Sequence, residues 1–370
     1  MIFRKTDIQS SNRGMNMALR AKLLSALFSS CLLAGPVMAA DIENTVSKKP
    51  DYALQPEVKA FIDDLVKNEK FTRKELQSVL EKANKSDRVL ELISRPAEKR
   101  LEWKDYRKIF MTQERVDRGV TFWDAHKKTL TSVEKDYGVP AHVIVAIIGV
   151  ETYYGRQTGG FKVLDALSTL SFDYPPRSKF FTKQLKEFLI LAREQKLDVS
   201  ELTGSYAGAM GIPQFMPSSY RAYAVDYTGD GQSNIWKQEE DAIASVANYL
   251  RENGWKAGKP IVSKAKVTGT KYEKAVSDSV RPKKTLKQLE GSGWRPVAVL
   301  PEASKAAAIK LEGDKGPEYW LGMHNFYVIT TYNRSKLYAM AVYQLARDVK
   351  SSYKTSVPKS GKTVAEKKSL

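Results

Sequence analysis

The chain has 370 residues, 42% of them hydrophobic, and a formal net charge of +18 at neutral pH. Its length is sufficient for two or three domains. Beyond residue 40 no apolar run is long enough to cross a bilayer, which excludes a multi-span membrane protein. The excess of Lys and Arg favours polyanionic partners such as nucleic acid, anionic lipid or an acidic cell-wall polymer.

Residues 1–40 have the pattern of a secretory signal peptide. Basic residues such as Arg20 precede an apolar run, Leu23–Leu33, and small residues precede Asp41. We therefore expect export to the periplasm with cleavage of this segment, which disfavours nucleic acid as a partner. The only cysteine is Cys31, so the mature chain would have neither a disulfide nor a thiol nucleophile. Processing at Cys31 as an outer-membrane lipoprotein is the alternative, which a poor lipobox disfavours.

Residues 41–138 are expected to form an N-terminal helical domain. Helical periodicity begins at Pro56, and Thr72 with Glu75 has the spacing of a capping box. An aromatic helix is predicted to follow Trp103, and one long amphipathic helix is predicted over Arg115–Tyr137.

The most apolar stretch after the leader is Val139–Arg156, which predicts a helix that begins near Pro140 and ends near Gly155. One face of this helix carries three isoleucines and a carboxylate, at i, i+3, i+4 and i+7: Ile144, Ile147, Ile148 and Glu151.

Glu151 therefore points in the direction of the core-facing side chains. Desolvation raises the pKa of a carboxyl group, so the protonated form persists nearer neutral pH, as a general acid requires. The alternative interpretation is a helix-end glutamate that is exposed or paired with a nearby cation such as Arg156.

Residues 139–255 are expected to form a core around this helix, with Glu151 as its candidate acid. A second helix is predicted over Phe180–Gln195 and a third over Asp241–Asn253. Between them lies a segment rich in Gly, Pro, Ser and aromatic residues, 204–236, and long structured loops of this composition are usually functional.

An acidic loop in this segment resembles the start of an EF-hand calcium loop. Oxygen-bearing side chains occupy its positions 1, 3, 5 and 9, with Gly231 at the sharp turn, and they are Asp226, Thr228, Asp230 and Asn234. Lys237 stands at position 12, where a bidentate glutamate is usual, so a metal-binding loop here would be longer than the standard one. The alternative is a turn cluster without an ion.

Residues 256–324 contain short β-like runs and are expected to form a small β-rich domain. The sequence Gly313–Gly316 predicts a hairpin turn. A helical pattern returns over Asn325–Asp348. Its residues Tyr332, Asn333 and Tyr338 could line a groove with Glu151, so we expect residues 325–349 to bring a helix back to that groove. Residues 350–370 are basic and polar, which predicts a disordered tail.

Aromatic and amide side chains suit the binding of sugar rings, although for any single aromatic residue a place in the core is the more common outcome. Glycosidases normally require two carboxylates. The acids nearest to Glu151 in sequence after its helix, Asp165 and Asp173, have no distinguishing context. The three histidines show no zinc-binding spacing.

Six segments in order identify the chain as similar to the membrane-bound lytic murein transglycosylase B family: GVETYYGR, LDALSTLSFDYPPR, GSYAGAMGIPQFMPSSY, DYTGDGQSNIW, DAIASVANYL and YNRSKLYAMAVYQL. The resemblance runs from about Trp103 to Val349. It implies a mainly α, α+β fold with a lysozyme-like helical core. It also implies a monomeric enzyme that cleaves the MurNAc-β-1,4-GlcNAc bond of peptidoglycan without water and leaves a 1,6-anhydro-MurNAc end.

By the same resemblance Glu151 is the catalytic residue, acting first as acid and then as base. Positions that match substrate-binding residues of the family are Tyr106, Arg177, Ser205, Gln214, Tyr249, Tyr332, Asn333 and Tyr338. Positions that match its structural calcium site are Asp226, Thr228, Asp230, Gln232 and Asp241, with Glu240 as an alternative last ligand. Pro176 and Phe180 depart from the family pattern near Arg177.

Two other functions remain possible from the residues. One is a hydrolytic muramidase, and the other is a non-catalytic, calcium-containing protein that binds the cell wall. Partners among cell-wall synthesis or division proteins are compatible with the family, and the sequence identifies none of them.

Overall fold

The computed structural model describes residue 52 and residues 55–95 and 101–356. The predicted leader, residues 1–40, lies outside this range. The described residues are mostly helical, with a small sheet near the C-terminus, which confirms the α+β fold class. None of the described helices combines the length and apolar character needed to cross a membrane.

Four helices come first in the chain: α1 Pro56–Glu69, α2 Arg73–Leu80, α3 Asp87–Ser94 and α4 Trp103–Phe110. The capping box at Thr72 and Glu75 is present with both of its hydrogen bonds. The hydroxyl of Tyr52 donates to Asp173 at 2.9 Å, and the backbone N–H of Asn84 donates to Asp165 at 2.8 Å. These bonds attach the N-terminal residues to the helix that contains Asp165 and to its C-cap residue, Asp173.

The predicted long helix over Arg115–Tyr137 is two helices, α5 Gln113–Ala125 and α6 Lys127–Tyr137. The break is at His126, whose backbone leaves the helical region while its ring packs on Phe122 at 4.5 Å. Neither Gly nor Pro marks this position, so the sequence carries no signal for the break.

The central helix is α7, Ala141–Thr152. All of its residues except His142 are buried, and it packs against α5, α6 and two later helices described below. The sequence predicted one core-facing side, but this helix is apolar all round and is enclosed on every side.

The remaining helices of the core are α8 Val163–Phe172, a short 3₁₀ helix Pro175–Arg177, α9 Ser178–Glu194, α10 Pro217–Tyr223 and α11 Glu239–Glu252. Two short strands, β1 Phe161–Lys162 and β2 Thr203–Gly204, pair antiparallel. β2 leads into the segment 204–236, called the glycine-rich loop from here on. α7 also contacts α11.

The β-rich region has its own small core. It contains the short helices and strands β3 Val262–Val267, α12 Tyr272–Ala275, β4 Lys284–Thr285, α13 Leu286–Glu290, β5 Trp294–Pro296, β6 Lys305–Gly313 and β7 Gly316–Gly322. The strand order is β4-β6-β7-β3-β5. The predicted hairpin is confirmed, since Gly313 pairs with Gly316, whose φ of 104° suits glycine.

The predicted C-terminal helix is also two helices, α14 His324–Tyr332 and α15 Lys336–Ser356. The chain is extended at Asn333, and Ser335 caps α15 by accepting from the backbone of Leu337 and Tyr338. α15 packs along α7 and extends beyond the predicted start of the tail at residue 350. A disordered tail was therefore predicted at least seven residues too early, and residues 357–370 lie outside the described range.

His142 predicts a pH dependence of stability. Burial, followed by the charges of Lys350 and Lys354, lowers its pKa from 6.5 to about 4. The unfolded chain therefore binds one more proton between these values, so stability is lost as the pH falls through this window. We expect a loss of up to about 3 kcal/mol from this residue.

Urea unfolding at pH 7 and at pH 4 measures this effect. The loss of stability should be smaller in His142→Phe, which keeps a ring beside Trp123. Equal losses of stability in the two proteins would contradict the contribution assigned to His142. Protonation of acidic residues does not disturb this comparison, because it lowers the stability of both proteins equally.

Candidate active site

Glu151 lies in the last turn of α7 with 6% of its surface exposed. The hydroxyl of Tyr338, in α15, donates a hydrogen bond to its Oε1 at 2.5 Å. The interpretation of an exposed helix-end glutamate is therefore wrong. Arg156, the cation considered as a pairing partner, is exposed, whereas Glu151 is buried. A buried carboxyl group with a hydrogen-bond donor is a candidate acid–base group.

The backbone that follows Glu151 is held in an uncommon conformation. Tyr153 and Tyr154 both have left-handed φ angles, 51° and 61°. The Thr152 hydroxyl donates to the carbonyl of Ile212 at 2.8 Å and accepts from the N–H of Gly155 at 3.1 Å. These bonds attach the end of α7 to the glycine-rich loop and fix where Glu151 points.

Arg115 holds the same helix end from another side, and the sequence analysis missed it. Its guanidinium donates to the carbonyl of Gly149 and lies 4.6 Å from the ring centre of Tyr153. The Tyr154 hydroxyl donates in return to the Arg115 carbonyl at 2.8 Å. A cation at the carbonyl end of a helix is favourable. Nothing in a single amphipathic sequence distinguishes this arginine from a surface one.

Three predicted site residues form a tyrosine cluster, Tyr249, Tyr332 and Tyr338. The rings of Tyr332 and Tyr338 are stacked 6.5 Å apart, and those of Tyr249 and Tyr332 meet at 4.7 Å. Burial, and then the charge of Glu151, raise the pKa of Tyr332 and Tyr338 well above the usual value. Both hydroxyls therefore keep their protons and act as donors.

Each hydroxyl of the cluster has its own acceptor. Tyr332 donates to the Pro213 carbonyl at 2.6 Å, and Tyr249 donates to the Thr331 carbonyl at 2.5 Å. These two tyrosines brace the loop and α14. Tyr338 is the member of the cluster that donates to Glu151.

The predicted amide residues lie beside the cluster in the chain. Gln214 follows Pro213 with a φ of 51°, and its side-chain N–H groups donate to the carbonyls of Thr158 and Gly211, each at 3.0 Å. Asn333 directly follows Tyr332 and is 7% exposed.

The other predicted substrate residues belong to neighbouring elements. Tyr106, in α4, is buried and close enough to Tyr338 to affect its titration. Ser205, just after β2, accepts a hydrogen bond from the N–H of Ala209 at 3.0 Å. Arg177 ends the 3₁₀ helix, where its guanidinium lies 4.8 Å from the ring centre of Phe180. The structure thus places Arg177 on a different element from the tyrosine cluster.

The acidic loop is organised by backbone donors to two carboxylates. Asp226 accepts from the N–H groups of Gly229, Asp230 and Gly231, while Asp241, which is fully buried, accepts from Tyr227, Thr228 and Asn234. Burial opposes ionisation of Asp226, but the backbone hydrogen bonds outweigh it and lower the pKa.

Of the two acids considered as the last ligand, Asp241 points into the loop. Glu240 is instead turned toward His126 at 4.0 Å and its side chain is 41% exposed. Within the described residues no three His, Cys, Asp or Glu side chains are gathered closely enough to hold one metal ion. A calcium site here would therefore also need the oxygens of Thr228 and Gln232.

Residues 53–347 match the sequence model of the Transglycosylase SLT domain family. Membrane-bound lytic murein transglycosylase B of Escherichia coli strain K12 is 41% identical over 315 residues, which are 83% of this chain and 86% of that protein.

Two solved structures have the same fold. Catenated SltB1 from Pseudomonas aeruginosa has a TM-score of 0.79 and 52% identity, covering 82% of this chain and 100% of that chain. The Escherichia coli lytic transglycosylase Slt35 in complex with calcium has a TM-score of 0.76 and 40% identity, covering 85% and 99%.

The bond from Thr152 to Ile212 yields a prediction. Thr152→Val keeps the shape of the side chain but leaves the buried Ile212 carbonyl without this donor, so it should lower the free energy of unfolding by about 1–3 kcal/mol. Urea unfolding measures the change. Thr131→Val is the matched control, since Thr131 bonds only to its own helix on the surface. Equal changes in the two variants would contradict this prediction.

Proposed function

Since this chain belongs to the Transglycosylase SLT domain family and is a lytic transglycosylase of peptidoglycan, we propose that Glu151 is its single acid–base catalyst. The observation that carries the proposal is the buried carboxyl group of Glu151 with the Tyr338 hydroxyl 2.5 Å from it. We propose in addition that the product is a 1,6-anhydro-MurNAc end.

In the first step protonated Glu151 donates its proton to the oxygen between MurNAc and GlcNAc, and the bond from that oxygen to C1 of MurNAc breaks. In the second step the C6 hydroxyl oxygen of MurNAc bonds to C1 of the same sugar. As this bond forms, the carboxylate of Glu151 takes the proton from that hydroxyl. The proton returns to Glu151, no water is consumed, and one residue serves both steps.

The environment of Glu151 supports both of its roles. Burial disfavours the charged form of a carboxyl group, which favours the acid needed first. The hydrogen bond from Tyr338 stabilises the carboxylate that exists between the steps. This hydrogen bond need not rearrange between the steps, because the Tyr338 side chain is buried and its backbone N–H is capped by Ser335 at the start of α15.

The remaining site residues would hold the sugar strand. The side-chain oxygen of Gln214 and the amide of Asn333 suit N-acetyl and hydroxyl groups, and the tyrosine cluster supplies rings and donors beside Glu151. Ser205 and Tyr106 would extend this surface. Arg177 would meet peptide or distant sugars from the start of α9.

A hydrolytic muramidase is the second candidate. The acids considered for a second carboxylate, Asp165 and Asp173, accept hydrogen bonds from Asn84 and Tyr52. This use of both acids in attaching the N-terminal residues favours the mechanism with one carboxylate.

Localisation and metal binding are further parts of the proposal. We expect a periplasmic, monomeric enzyme exported by the leader, and we note that the Escherichia coli relative is described as membrane-bound.

We expect calcium to bind Asp226, Thr228, Asp230, Gln232 and Asp241, as oxygen ligands of this kind suit the ion and Slt35 has been solved with calcium. The ion would stiffen the loop.

Glu151→Gln tests the catalytic role, because an amide neither donates the required proton nor accepts it back. We expect release of soluble fragments from purified peptidoglycan to fall at least about 100-fold. Glu312→Gln, on an exposed position of β6, should keep the wild-type rate. Mass spectrometry of the wild-type products should show anhydro ends.

Two results would overturn the proposal. Reducing ends without anhydro products would identify a hydrolase. Equal clearance by wild type and Glu151→Gln, or clearance by neither, would favour a wall-binding protein without catalysis.

Calcium binding is tested by melting temperature. Added calcium should stabilise the folded protein by about 2.7 kcal/mol at a hundredfold excess over its Kd, and chelation should reverse this. Asp241→Asn should abolish the response, while Glu240→Gln should retain it. The proposal fails if neither chelator nor calcium shifts the melting temperature of the wild type.

A further inference from the structure

A cavity of about 350 Å³ lies between α1 and α9. Phe61 and Asp64 of α1 form one wall. The other wall comes from one face of α9 and is formed by Lys179, Thr182, Lys183, Lys186 and Glu187. Its volume is within the range of small-molecule binding sites.

The three lysines of this wall lie at i, i+4 and i+7, so they project from the same face of α9. Like charges at such spacings oppose helix stability. Lys186 has compensation, because its Nζ lies 2.8 Å from Asp64 and 3.0 Å from Glu69. Within the described residues Lys179 and Lys183 have no carboxylate at ion-pair distance.

The acids of the cavity are already paired with other cations. Asp64 is held by Lys186, and Glu187 is held by Arg221, which also binds Glu194 at 2.7 Å. Burial lowers the pKa of Lys183, although Glu187 opposes this. A half-buried ammonium group without a partner gains most from an added anion.

We propose that this cavity binds a carboxylate of the peptide stem of peptidoglycan through Lys179 and Lys183. Stem peptides carry free carboxylates, whereas sugar hydroxyls have no charge for two ammonium groups to recognise. Phe61 offers an apolar wall to the peptide, and Thr182 offers a hydroxyl. The proposal rests on peptidoglycan being the substrate, but not on the chemistry assigned to Glu151.

A carboxylate fits this cavity better than a phosphate group. Asp64 and Glu187 lie in its walls and would repel a dianion more strongly than a single negative charge. The same acids can accept hydrogen bonds from the amide N–H groups of a peptide. The site would hold the enzyme on peptide-bearing strands while a glycan strand occupies the active site.

The test is isothermal titration of the full chain with a stem tetrapeptide released from purified peptidoglycan. We expect Lys179→Gln/Lys183→Gln to weaken binding at least about tenfold, as loss of charge-assisted hydrogen bonds implies. The matched control is Lys283→Gln/Lys284→Gln, which removes two exposed charges from the β-rich region and should bind like wild type. The tetrapeptide with amidated carboxylates should bind weakly to every protein.

Three results would overturn the proposal. One is equal affinity in wild type and the Lys179→Gln/Lys183→Gln variant. Another is a larger loss of affinity in Arg177→Gln than in that variant, which would place the peptide at the start of α9. The third is binding of inorganic phosphate in place of the peptide. Since no cleavage is measured, these results are independent of the Glu151→Gln experiment.

Discussion

The hydrogen bond from Tyr338 to Glu151 is the interaction on which the site depends. A carboxyl group enclosed by an apolar helix bundle is costly unless a donor meets it. The donor comes from α15, 187 positions further along the chain. The two helices pack along each other, so the fold itself supplies the acid with its partner.

The surrounding contacts limit how Glu151 can move. Thr152 is bonded to the glycine-rich loop, and Arg115 is bonded to the Gly149 carbonyl in the last turn of α7. Tyr332 stacks on Tyr338 and is itself bonded to the same loop. In the role proposed for Glu151, which gives up a proton and then takes one back, such rigidity is an advantage, because the carboxyl group keeps its position between the two steps.

The peripheral regions surround this centre without supplying its chemistry. The N-terminal residues are attached to Asp165 in α8 and to Asp173 at its C-cap. The β-rich region forms a core of its own around Trp294. The cavity between α1 and α9 offers a second place where a large, charged polymer can be held. For a substrate that is a network of strands and peptides, binding at more than one place lengthens contact with the wall.

Local patterns in the sequence determined much of this protein. The apolar run of α7, the capping box at Thr72, the hairpin at Gly313–Gly316 and the candidate acid Glu151 were all identified from neighbouring residues, because helix and turn chemistry is local. The break at His126 was not, since neither Gly nor Pro marks it. The break at Asn333 was also missed, although Ser335, which caps α15, is a local helix-start signal. Tertiary structure alone decided that α7 is enclosed on every side, that Tyr338 donates a hydrogen bond to Glu151, and that Arg115 donates one to the Gly149 carbonyl near the end of α7. Those contacts join residues that are distant in the chain. They are stabilised by the burial of side chains, which occurs only when separate segments pack together.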